Sequence, residues 1–504
     1  MRGVHSAVDD IRVGVFREVA KLAYEGGDYS RVDLIPYKMC PGDVAKHRYD
    51  VYLERAIVKA RVRLALGMNI DIGGHLSTHI DEAVTDQKYF EAPLVNVIHA
   101  ACNACPTKEI RISDNCQGCI SHPCMNVCPK DAIYLDKYKH CHIDQDKCIK
   151  CGKCAAQCPY NAISKMERPC AAACGMDAIG SDEQGRAKID YDKCVSCGMC
   201  LVNCPFGAIA DKSQIFQLIT AMQRHEEVIA CVAPAFIGQF GKEATPSKLN
   251  AAMRILGFTD VVEVAIGADL CTIQEAHDFL EEVPAKQPFM GTSCCPAWSV
   301  MAKTMYPQFK DYISMALTPM VITARMVRKT HPNARICFIG PCSAKKLEAN
   351  RRTVRSEVDF VLTFEELLGM FEAKEIDFAT LEADPEDGLF EGSGMGRGFA
   401  VGGGVAAAVV EAIKHIDPDR EVLIEYGDGL KECRKMLAMA KAGKRNGYLL
   451  EGMACPGGCI AGAGTIRPVR ESTANVARFK AEAGEESCTT SPYLDRLDEV
   501  INHQ

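Results

Sequence analysis

The sequence predicts a helical N-terminal region at residues 1–98, a cysteine-rich α+β region at 99–213 and an α/β domain at 214–504. Three observations support this division. Apolar residues near the N-terminus recur at helical spacing. One short cysteine motif repeats between Cys102 and Ile209. From Val228 onward, strand-like runs alternate with helical ones, as in a mostly parallel sheet.

Composition narrows the class of protein. The chain has 504 residues, 28 cysteines and a formal net charge of −8. Disulfide-dense domains are usually short and secreted, but this N-terminus lacks the apolar segment of a signal peptide. No apolar run is long enough to span a bilayer. We therefore expect a cytoplasmic protein with metal-bound thiolates and no membrane association, and the negative charge argues against a nucleic-acid partner.

Two helices are predicted in the N-terminal region. Apolar residues of Val8–Leu22 recur at helical spacing and stop before a glycine pair. A second helix is predicted at Ala45–Leu66 after a Pro-Gly-Asp turn. Its Lys59, Arg61 and Arg63 would form a docking face or, as the simpler interpretation, a solvated helix surface.

The cysteine-rich region repeats the spacing of bacterial ferredoxins. The unit Cys-x3-Cys-(Pro/Gly)-x2-Ala-Ile occurs four times. Three longer runs are Cys116, Cys119, Cys124 and Cys128; Cys148, Cys151, Cys154 and Cys158; and Cys194, Cys197, Cys200 and Cys204. In such a run three thiolates bind one [4Fe-4S] cluster and the fourth binds the partner cluster. The first run, with its longer interval, resembles the iron–sulfur subunits of molybdenum oxidoreductases, whereas a zinc ribbon would more typically show paired Cys-x2-Cys sets alone.

Crossed pairing of the runs predicts three complete ligand sets. They are Cys116, Cys119 and Cys124 with Cys158; Cys148, Cys151 and Cys154 with Cys128; and Cys194, Cys197 and Cys200 with Cys174. Cys170 and Cys204 are left over, and Cys102 with Cys105 would complete a fourth set. Alternatively, Cys102 and Cys105 form a small separate site or bind no metal, since connectivity does not follow from spacing. Two thiols remain unassigned, Cys40 and Cys141.

The last region begins with a linking helix predicted at Lys212–Glu227, followed by strand-like runs. The runs are Val228–Val232, Val261–Val264, Arg335–Ile339, Val358–Leu362, Val422–Glu425 and Tyr448–Leu450. Cys342 and Cys455 follow the ends of two of them. Open α/β sheets place their ligands at this edge, so the sequence predicts a ligand site there.

Three stretches of this region together resemble the signature motifs of iron-only ([FeFe]) hydrogenases. They are TSCCPAW at 292–298, GPCSAKK at 340–346 and EGMACPGGCIAGAG at 451–464. The resemblance implies a two-lobed α/β catalytic domain that binds the H-cluster. This cofactor is a [4Fe-4S] cube joined through one cysteine sulfur to a di-iron unit with CO, CN⁻ and a bridging dithiolate amine. The ferredoxin-like runs upstream would hold accessory clusters that carry electrons to it.

Residue by residue, the resemblance assigns roles around this cofactor. Four cysteines match the ligands of the cube: Cys295, Cys342, Cys455 and Cys459, of which the last would bridge to the di-iron unit. Lys345 would contact a cyanide, as would the backbone around Ala233 and Pro234, and Phe399 matches an aromatic position of the pocket. Buried structural thiols are the alternative interpretation, which three motifs in the family's order make weak.

The same resemblance implies a proton relay. Cys294 would carry protons to the bridging amine, and Glu275 and Ser314 match the family's relay glutamate and serine. Asp278 replaces a second glutamate and is one methylene shorter. It follows Glu275 by three residues on one face of a predicted helix. For an isolated acid pair at this spacing, a solvated helix face would be the simpler interpretation.

Several positions around the cofactor depart from the family's pattern. They are Gly340 in place of Met, Met320 in place of a common Gln, and Ala461, Ala463 and Thr465 in the run after the bridging cysteine. These changes resemble a divergent, group B-like branch. Contacts around a metal tune its potential and reactivity, so the departures bear on rate and catalytic bias.

The resemblance implies an anaerobic, cytoplasmic ferredoxin hydrogenase, an oxidoreductase that reversibly reduces protons to dihydrogen. Its electrons would come from a ferredoxin-like carrier and its cofactor from hydrogenase maturases. One alternative is a slow-turnover hydrogen sensor, although sensory relatives usually append a signalling domain and the chain after Arg467 is short. Another is an iron–sulfur assembly factor without the di-iron unit, against which Cys294, Lys345 and the ferredoxin runs argue.

Overall fold

The N-terminal region is helical, as predicted, and it packs directly on the α/β domain. The computed structural model describes residues 5–70, 74–80, 92–351, 353–388 and 391–501. The first helices are α1 (Ala7–Glu25), α2 (Ile35–Met39) and α3 (Val51–Ala65). The apolar stripe of α1 buries Val15 and Val19 in one core with the α/β domain. A Cβ on Gly369 would lie 2.5 Å from the Cβ of Phe16, so the two regions make close contact.

Two of the three basic residues predicted on a solvated surface or docking face of α3, Arg61 and Arg63, do not lie on one. Arg61 and Arg63 are buried and donate to the carbonyls of Gly207 and Gly74 respectively. A guanidinium that leaves water needs hydrogen-bond partners, and backbone carbonyls supply them here. The prediction for these two residues was wrong, because spacing along one helix does not show what packs against it.

The second helix also begins later than predicted. The Asp50 carboxylate accepts a hydrogen bond from the Leu53 amide at 2.8 Å and caps α3, which starts at Val51. Upstream, the amides of residues 46–48 donate to the Glu54 carboxylate, which holds that segment outside the helix.

The cysteine-rich region forms two ferredoxin-like units of short helices and antiparallel strand pairs. Its strands are β1 (Val95–Val97), β2 (Glu109–Ile112), β3 (Ile133–Leu135), β4 (Cys141–Ile143), β5 (Ile163–Met166), β6 (Ile179–Ser181), β7 (Ala187–Ile189) and β8 (Ile209–Asp211). Its helices are α4 (Pro123–Asn126), α5 (Lys153–Gln157), α6 (Pro169–Ala172) and α7 (Met199–Asn203).

The strand pairs show that one unit is inserted into the other. β2 pairs with β5 and β3 with β4, whereas β1 pairs with β8 and β6 with β7. The first unit, Glu109–Met166, therefore lies in the chain between β1 and β6 of the second. Cys102 and Cys105 follow β1 and belong to the second unit by topology.

The α/β domain contains two parallel sheets in its described part. Its strands are β9 (Val228–Val232), β10 (Asp260–Glu263), β11 (Phe289–Gly291), β12 (Arg335–Gly340), β13 (Phe360–Thr363), β14 (Leu423–Asp428) and β15 (Tyr448–Met453). One sheet has the order β10-β9-β12-β13 and the other β11-β15-β14, with every pair parallel.

Helices cover both sheets. They are α8 (Ile215–Gln223), α9 (Pro246–Leu256), α10 (Ala265–Glu282), α11 (Pro296–Met305), α12 (Pro319–Thr330), α13 (Ser343–Asn350), α14 (Phe364–Ala373), α15 (Gly394–Gly398), α16 (Gly404–Ile416), α17 (Leu430–Lys441), α18 (Val469–Ala481) and α19 (Leu497–Ile501). Among the helices that the structure describes, none combines the length and hydropathy that crossing a bilayer requires.

The predicted fold class is confirmed: a two-sheet, parallel α/β domain follows ferredoxin-like units and a helical region. All six strand-like runs are strands, with ends shifted by at most three residues. The linking helix is shorter than predicted and covers Ile215–Gln223. Sequence reasoning missed β11, whose three residues are too few to show a period.

Candidate active site

The signature motifs meet in one cavity between the two sheets. β9 ends before Ala233 and Pro234, and β12 ends two residues before Cys342. In the other sheet, β11 leads to Cys295 and β15 ends two residues before Cys455. Parallel strands bring their carboxyl ends to one edge, so motifs far apart in the chain become neighbours there.

Four thiols line this cavity together: Cys295, Cys342, Cys455 and Cys459. Burial raises the pKa of each, to about 11 for Cys342 and about 12 for Cys459, and neighbouring thiolates add to the shift at Cys342, Cys455 and Cys459. Four buried thiols cannot hold four negative charges by themselves. A soft metal centre would displace their protons and bind the thiolates, which is how thiolate sites couple to metal.

The loop between Cys455 and Cys459 depends on its two glycines. Gly457 and Gly458 have φ values of 98° and 90°, a region that favours glycine. A Cβ on Gly458 would also lie 2.4 Å from the backbone nitrogen of Gly402. The chain can therefore turn tightly enough for both thiols to line the same cavity.

Lys345 brings a positive charge to this cavity. Its Nζ donates to Glu348 at 2.7 Å, and Glu348 also accepts a hydrogen bond from Thr318 Oγ1 at 2.9 Å. Burial lowers the pKa of Lys345, but the charge and hydrogen bond of Glu348, together with the charges of Cys342 and Cys294, raise it above its usual range, so the ammonium stays charged. Ala233, Pro234 and Phe399 also line the cavity, as the resemblance predicted.

One departure from the resemblance, Met320, lies at the cavity wall, and another, Gly340, lies beside a residue of that wall. Met320 is almost completely buried and presents a thioether where a polar side chain is common. A Cβ on Gly340 would lie 2.6 Å from the Phe338 ring, which itself lines the cavity. Phe338 thus occupies the space beside Gly340.

A buried carboxyl lies behind Cys294. Glu275 Oε1 accepts hydrogen bonds from the Ser293 amide at 2.8 Å and the Ser293 hydroxyl at 3.0 Å. Burial raises the pKa of Glu275 to about 7, although the hydroxyls of Ser293 and Ser314 lower it. Burial and the charge of Glu275 in turn raise the pKa of Cys294 well above its usual range. Ser293 was not predicted to take part, since only the cysteines of its motif carried a signal.

Asp278 lies farther along α10, as predicted, and is half-buried. Burial raises its pKa, and so do the charges of Glu282 and Glu281. Its own charge contributes to the raised pKa of Glu275. The described residues thus include a set of acids on α10 that leads from the half-buried Asp278 towards Cys294.

Glu451 is a second buried carboxyl that sequence reasoning left without a role. Its oxygens accept hydrogen bonds from the amides of Gly403 and Ala406 at the start of α16, at 2.9 and 2.7 Å. Burial raises its pKa to about 7, and its charge also acts on Cys294. Its place at the first position of the third motif was the available signal.

Two further cavities lie in the first ferredoxin-like unit. One is lined by Cys116, Cys119, Cys124 and Cys158, and the other by Cys148, Cys151, Cys154 and Cys128. These are the two crossed sets that the spacing predicts. In both, one thiol comes from the opposite half of the unit.

The second unit brings its thiols together in the same way. The charges of Cys197, Cys194, Cys174 and Cys170 raise the pKa of Cys200, after burial itself. In the fourth set, burial is the largest cause of the raised pKa values of Cys105 and Cys170. The charges of Cys204 and Cys102 raise both pKa values further. Cys102, Cys105, Cys170 and Cys204 are therefore neighbours. Cys40 lies apart from these thiols, and the charges that act on the pKa of its thiol are those of Glu54, Arg55 and Lys46.

Backbone geometry repeats at all four sites. At each site the first Cys-x2-Cys loop has a positive φ at the residue before its second thiol: Gly118 (59°), Lys150 (58°), Ser196 (53°) and Ala104 (44°). This conformation is uncommon for residues other than glycine. Ala104 adopts it between Cys102 and Cys105, so that loop has the same form as the other three.

Amide groups donate to thiol sulfurs at equivalent positions. The amides of Ala132, Ala178 and Ala208 lie 3.3 Å from the sulfurs of Cys128, Cys174 and Cys204 respectively. Hydrogen bonds to cluster sulfurs help set reduction potentials. The alanine of each of these three repeated units therefore lies in the same kind of turn, which brings its amide to the sulfur of the unit's second cysteine.

The thiols surround cavities and do not converge on a point. Within the described residues, no three His, Cys, Asp or Glu side chains are grouped closely enough for a single metal ion. A zinc ion binds its thiolates at about 2.3 Å and would need such a group. In a [4Fe-4S] cluster each cysteine binds a different iron, which fits four thiols spaced around a cavity.

Buried ion pairs connect the second unit to the main cavity. Lys346 Nζ donates to Asp211 at 3.0 Å and to Glu366 at 2.8 Å, and Ser343 also donates to Asp211 at 2.8 Å. Cys197, from the third thiol set, lines the main cavity itself. Asp211, Lys346 and Glu366 therefore fix the unit against the cavity, and no sequence signal marked them as a group.

Comparison with known families gives matches in both regions. Residues 226–463 match the model described as "Iron only hydrogenase large subunit, C-terminal domain". Residues 142–164 and 186–209 match models described as "4Fe-4S binding domain". These two segments contain the second and third cysteine runs.

Individual relatives fall into two groups. Iron hydrogenase 1 of Clostridium pasteurianum is 30% identical over 388 residues, covering 67% of either chain. The cytosolic Fe-S cluster assembly factor narfl of Danio rerio is 25% identical over 279 residues, covering 45% of this chain and 68% of the relative. A solved structure of [FeFe]-hydrogenase HydA1 from Chlamydomonas reinhardtii matches with 22% identity and a TM-score of 0.43, covering 54% of this chain and 89% of that one.

Proposed function

Because the chain belongs to the iron-only hydrogenase family, we propose that it is an [FeFe]-hydrogenase that reversibly reduces protons to dihydrogen. One arrangement carries the proposal: Cys294 and Lys345 line the same cavity as the four thiols that match the ligands of the cube. A site that only binds or assembles an iron–sulfur cube does not require a buried thiol that donates protons, such as Cys294, or a charged lysine at that cavity.

The proposed H-cluster would be held by Cys295, Cys342, Cys455 and Cys459, whose donor set fits a cube. When bound, this cofactor supplies the metal centre at which protons and electrons combine. Lys345 offers a hydrogen-bond donor to an anionic group in the cavity, and Glu348 holds the lysine in place. The apolar side chains of Met320 and Phe338 reduce the access of water to it.

Protons would reach the cavity through Cys294. This thiol is protonated at neutral pH because burial and Glu275 raise its pKa. Glu275, with a pKa of about 7, is suited both to give a proton and to take one near neutral pH. Ser314, which hydrogen-bonds to Glu275, and Asp278, farther along α10, would extend this path towards the surface, with a water between groups that do not touch.

Electrons would travel through accessory [4Fe-4S] clusters from an external carrier. The set that contains Cys197 is next to the cavity and would be the last donor. The set that contains Cys102 and Cys105 shares the second unit, and Cys105 leads after three residues into β2 of the first. We propose four accessory clusters in this order, which makes the chain a wire from the first unit to the cavity.

Infrared spectroscopy of maturase-treated protein tests the function. We expect CO and CN⁻ bands, followed by dihydrogen production from a reduced dye. Bands without turnover would indicate a sensor. Absence of the bands in fully reconstituted protein would support the second candidate, an iron–sulfur assembly factor, which the match to the Danio rerio factor favours.

The departures at Gly340 and Met320 motivate a further part of the proposal, a group B-like branch. A thioether at position 320 cannot donate a hydrogen bond to a polar ligand of the cofactor. Replacement Met320→Gln should therefore shift the CO and CN⁻ frequencies in treated protein. Unshifted bands would show that the side chain at position 320 does not act on the cofactor's ligands.

A further inference from the structure

One accessory site has more thiols than a cluster needs. The cavity of Cys116, Cys119, Cys124 and Cys158 is also lined by Cys141, which is 3% exposed and lies on β4. Its sulfur is 3.7 Å from that of Cys124, and its amide donates to the sulfur of Cys116 at 3.5 Å. A [4Fe-4S] cluster takes four cysteine ligands, so one of these five thiols is surplus.

The residues at the equivalent strand position of the other accessory sites show how Cys141 differs. Cys141 pairs with Leu135, two residues after the Ile of the repeated unit. By the same register the equivalents are Ile110 opposite Lys165, Ala187 opposite Ser181 and Val95 opposite Asp211. None of these three side chains can bind iron.

Backbone contacts support this equivalence. The amide of Ala187 donates to Cys102 at 3.4 Å, as the amide of Cys141 does to Cys116. Ile110 lines the neighbouring cavity in the way that Cys141 lines its own. The strand position is thus a standard wall of each cluster site, and at one site alone it carries a thiol.

We propose that Cys141 is a reserve ligand, which replaces Cys124 on the same iron when the bond between that iron and Cys124 breaks. In the exchange one Fe–S bond breaks and one forms, and the proton of the Cys141 thiol moves to the sulfur of Cys124. No electron is gained or lost. The two sulfurs are 3.7 Å apart, a gap that rotation of the Cys141 side chain can span without movement of β4 or of α4, which carries Cys124.

The location gives the exchange a purpose. Ile120, in the loop between Cys119 and Cys124, is 97% exposed, so this loop faces solvent. Loops with few buried contacts open locally at low cost in free energy. A second thiol on the rigid strand β4 keeps the cluster attached while the loop is open.

The inference rests on the accessory cluster proposed for this site, and iron content tests both. Full-length protein is reconstituted with iron and sulfide, and iron, labile sulfide and the electron paramagnetic resonance of reduced protein are measured. We expect Cys124→Ala and Cys141→Ala each to keep the parent's iron. The double variant should lose about four irons. The resonance of Cys124→Ala should shift, because one ligand has changed.

Cys154→Ala is the matched control, since its site has Ile110 in place of a fifth thiol. This single variant should lose about four irons, and adding Ile110→Cys to it should restore them. Loss of iron from Cys124→Ala alone, to three or no irons at that site, would overturn the reserve role. Cys116→Ala/Cys119→Ala separates the two claims: parent-like iron there would show that the cluster itself is absent.

Discussion

The ferredoxin-like units and the main cavity differ in how far apart in the chain their thiols lie. Each of the two sites in the first ferredoxin-like unit takes three thiols from one short cysteine run and a fourth from its partner run. The main cavity takes its thiols from the loops after β11, β12 and β15, and the first and last of these, Cys295 and Cys459, are 164 residues apart in the chain. A local motif therefore suffices for most of an accessory site, whereas the cavity exists only when two sheets have packed.

The two kinds of site also differ in whether the chain offers copies for comparison. The four accessory sites share a left-handed residue and a wall position on a strand, so a change such as Cys141 stands out against three copies. The main cavity has no second copy in the described chain. Its departures, such as Met320, can be judged only from what surrounds them.

The largest effect is expected from removing one thiol of the main cavity. Cys455→Ala should abolish the CO and CN⁻ bands and all dihydrogen turnover, because the cube loses a ligand. About 16 irons of the accessory clusters should remain, since their sites are built separately. Cys433→Ser is the control, because this buried thiol donates to the Gly427 carbonyl at 3.3 Å and does not line the cavity. Bands that persist in Cys455→Ala would contradict its role as a ligand.

Cys294→Ala should separate catalysis from assembly at the same cavity. Removing a positioned proton donor costs about 10²–10⁴-fold in rate. The CO and CN⁻ bands should remain. Cys271→Ala removes another buried thiol near Glu275 that does not line the cavity, and it should turn over like the parent. If Cys294→Ala fails to retain the di-iron unit, the thiol serves assembly instead.

Lys346→Met should uncouple the two regions. It leaves Asp211 and Glu366 buried without their cation, which costs about 3–5 kcal/mol. Denaturant unfolding can be followed at Trp298, the chain's single tryptophan, which is buried in the domain that holds the cavity. Lys435→Met breaks an exposed pair with Glu432 and should cost about 1 kcal/mol or less. Equal stability of the two variants would show that the buried pairs do not hold the regions together.

Asp278→Asn tests the outer end of the proton path. Asn keeps the shape of Asp but cannot exchange a proton, so we expect turnover at least tenfold lower, a barrier about 1.4 kcal/mol higher. Asp278→Glu should match or exceed the parent, and infrared bands should stay unchanged. Glu281→Gln changes an exposed acid of the same helix that pairs with Lys286, and it should have little effect. Parent-like turnover of Asp278→Asn at saturating reductant would mean that Asp278 only solvates α10.

The smallest effect is expected at the fourth accessory site. Cys102→Ala/Cys105→Ala should lower the iron content by about four atoms and leave the CO and CN⁻ bands in place. Cys40→Ala is the control, since no other thiol lies beside it. An iron content equal to the parent's would show that Cys102 and Cys105 bind no cluster and that electrons pass through three accessory clusters at most.

The sequence by itself determined the fold class, the three crossed thiol sets and the candidate residues of the cavity. These follow from spacings within a motif or from strand periodicity, which short-range geometry enforces. The left-handed residue in the first Cys-x2-Cys loop of each accessory site and the turn after each run are likewise local features of the chain.

Only the tertiary structure decided which distant groups became neighbours. It buried Arg61 and Arg63 against carbonyls, joined Lys346 to Asp211 across two regions, and set Cys141 beside Cys124. Ser293 and Glu451 likewise acquired their positions from what packs around them. The physical reason is that burial and ion pairing depend on the partner surface, and a partner a hundred residues away leaves no periodic trace in the chain.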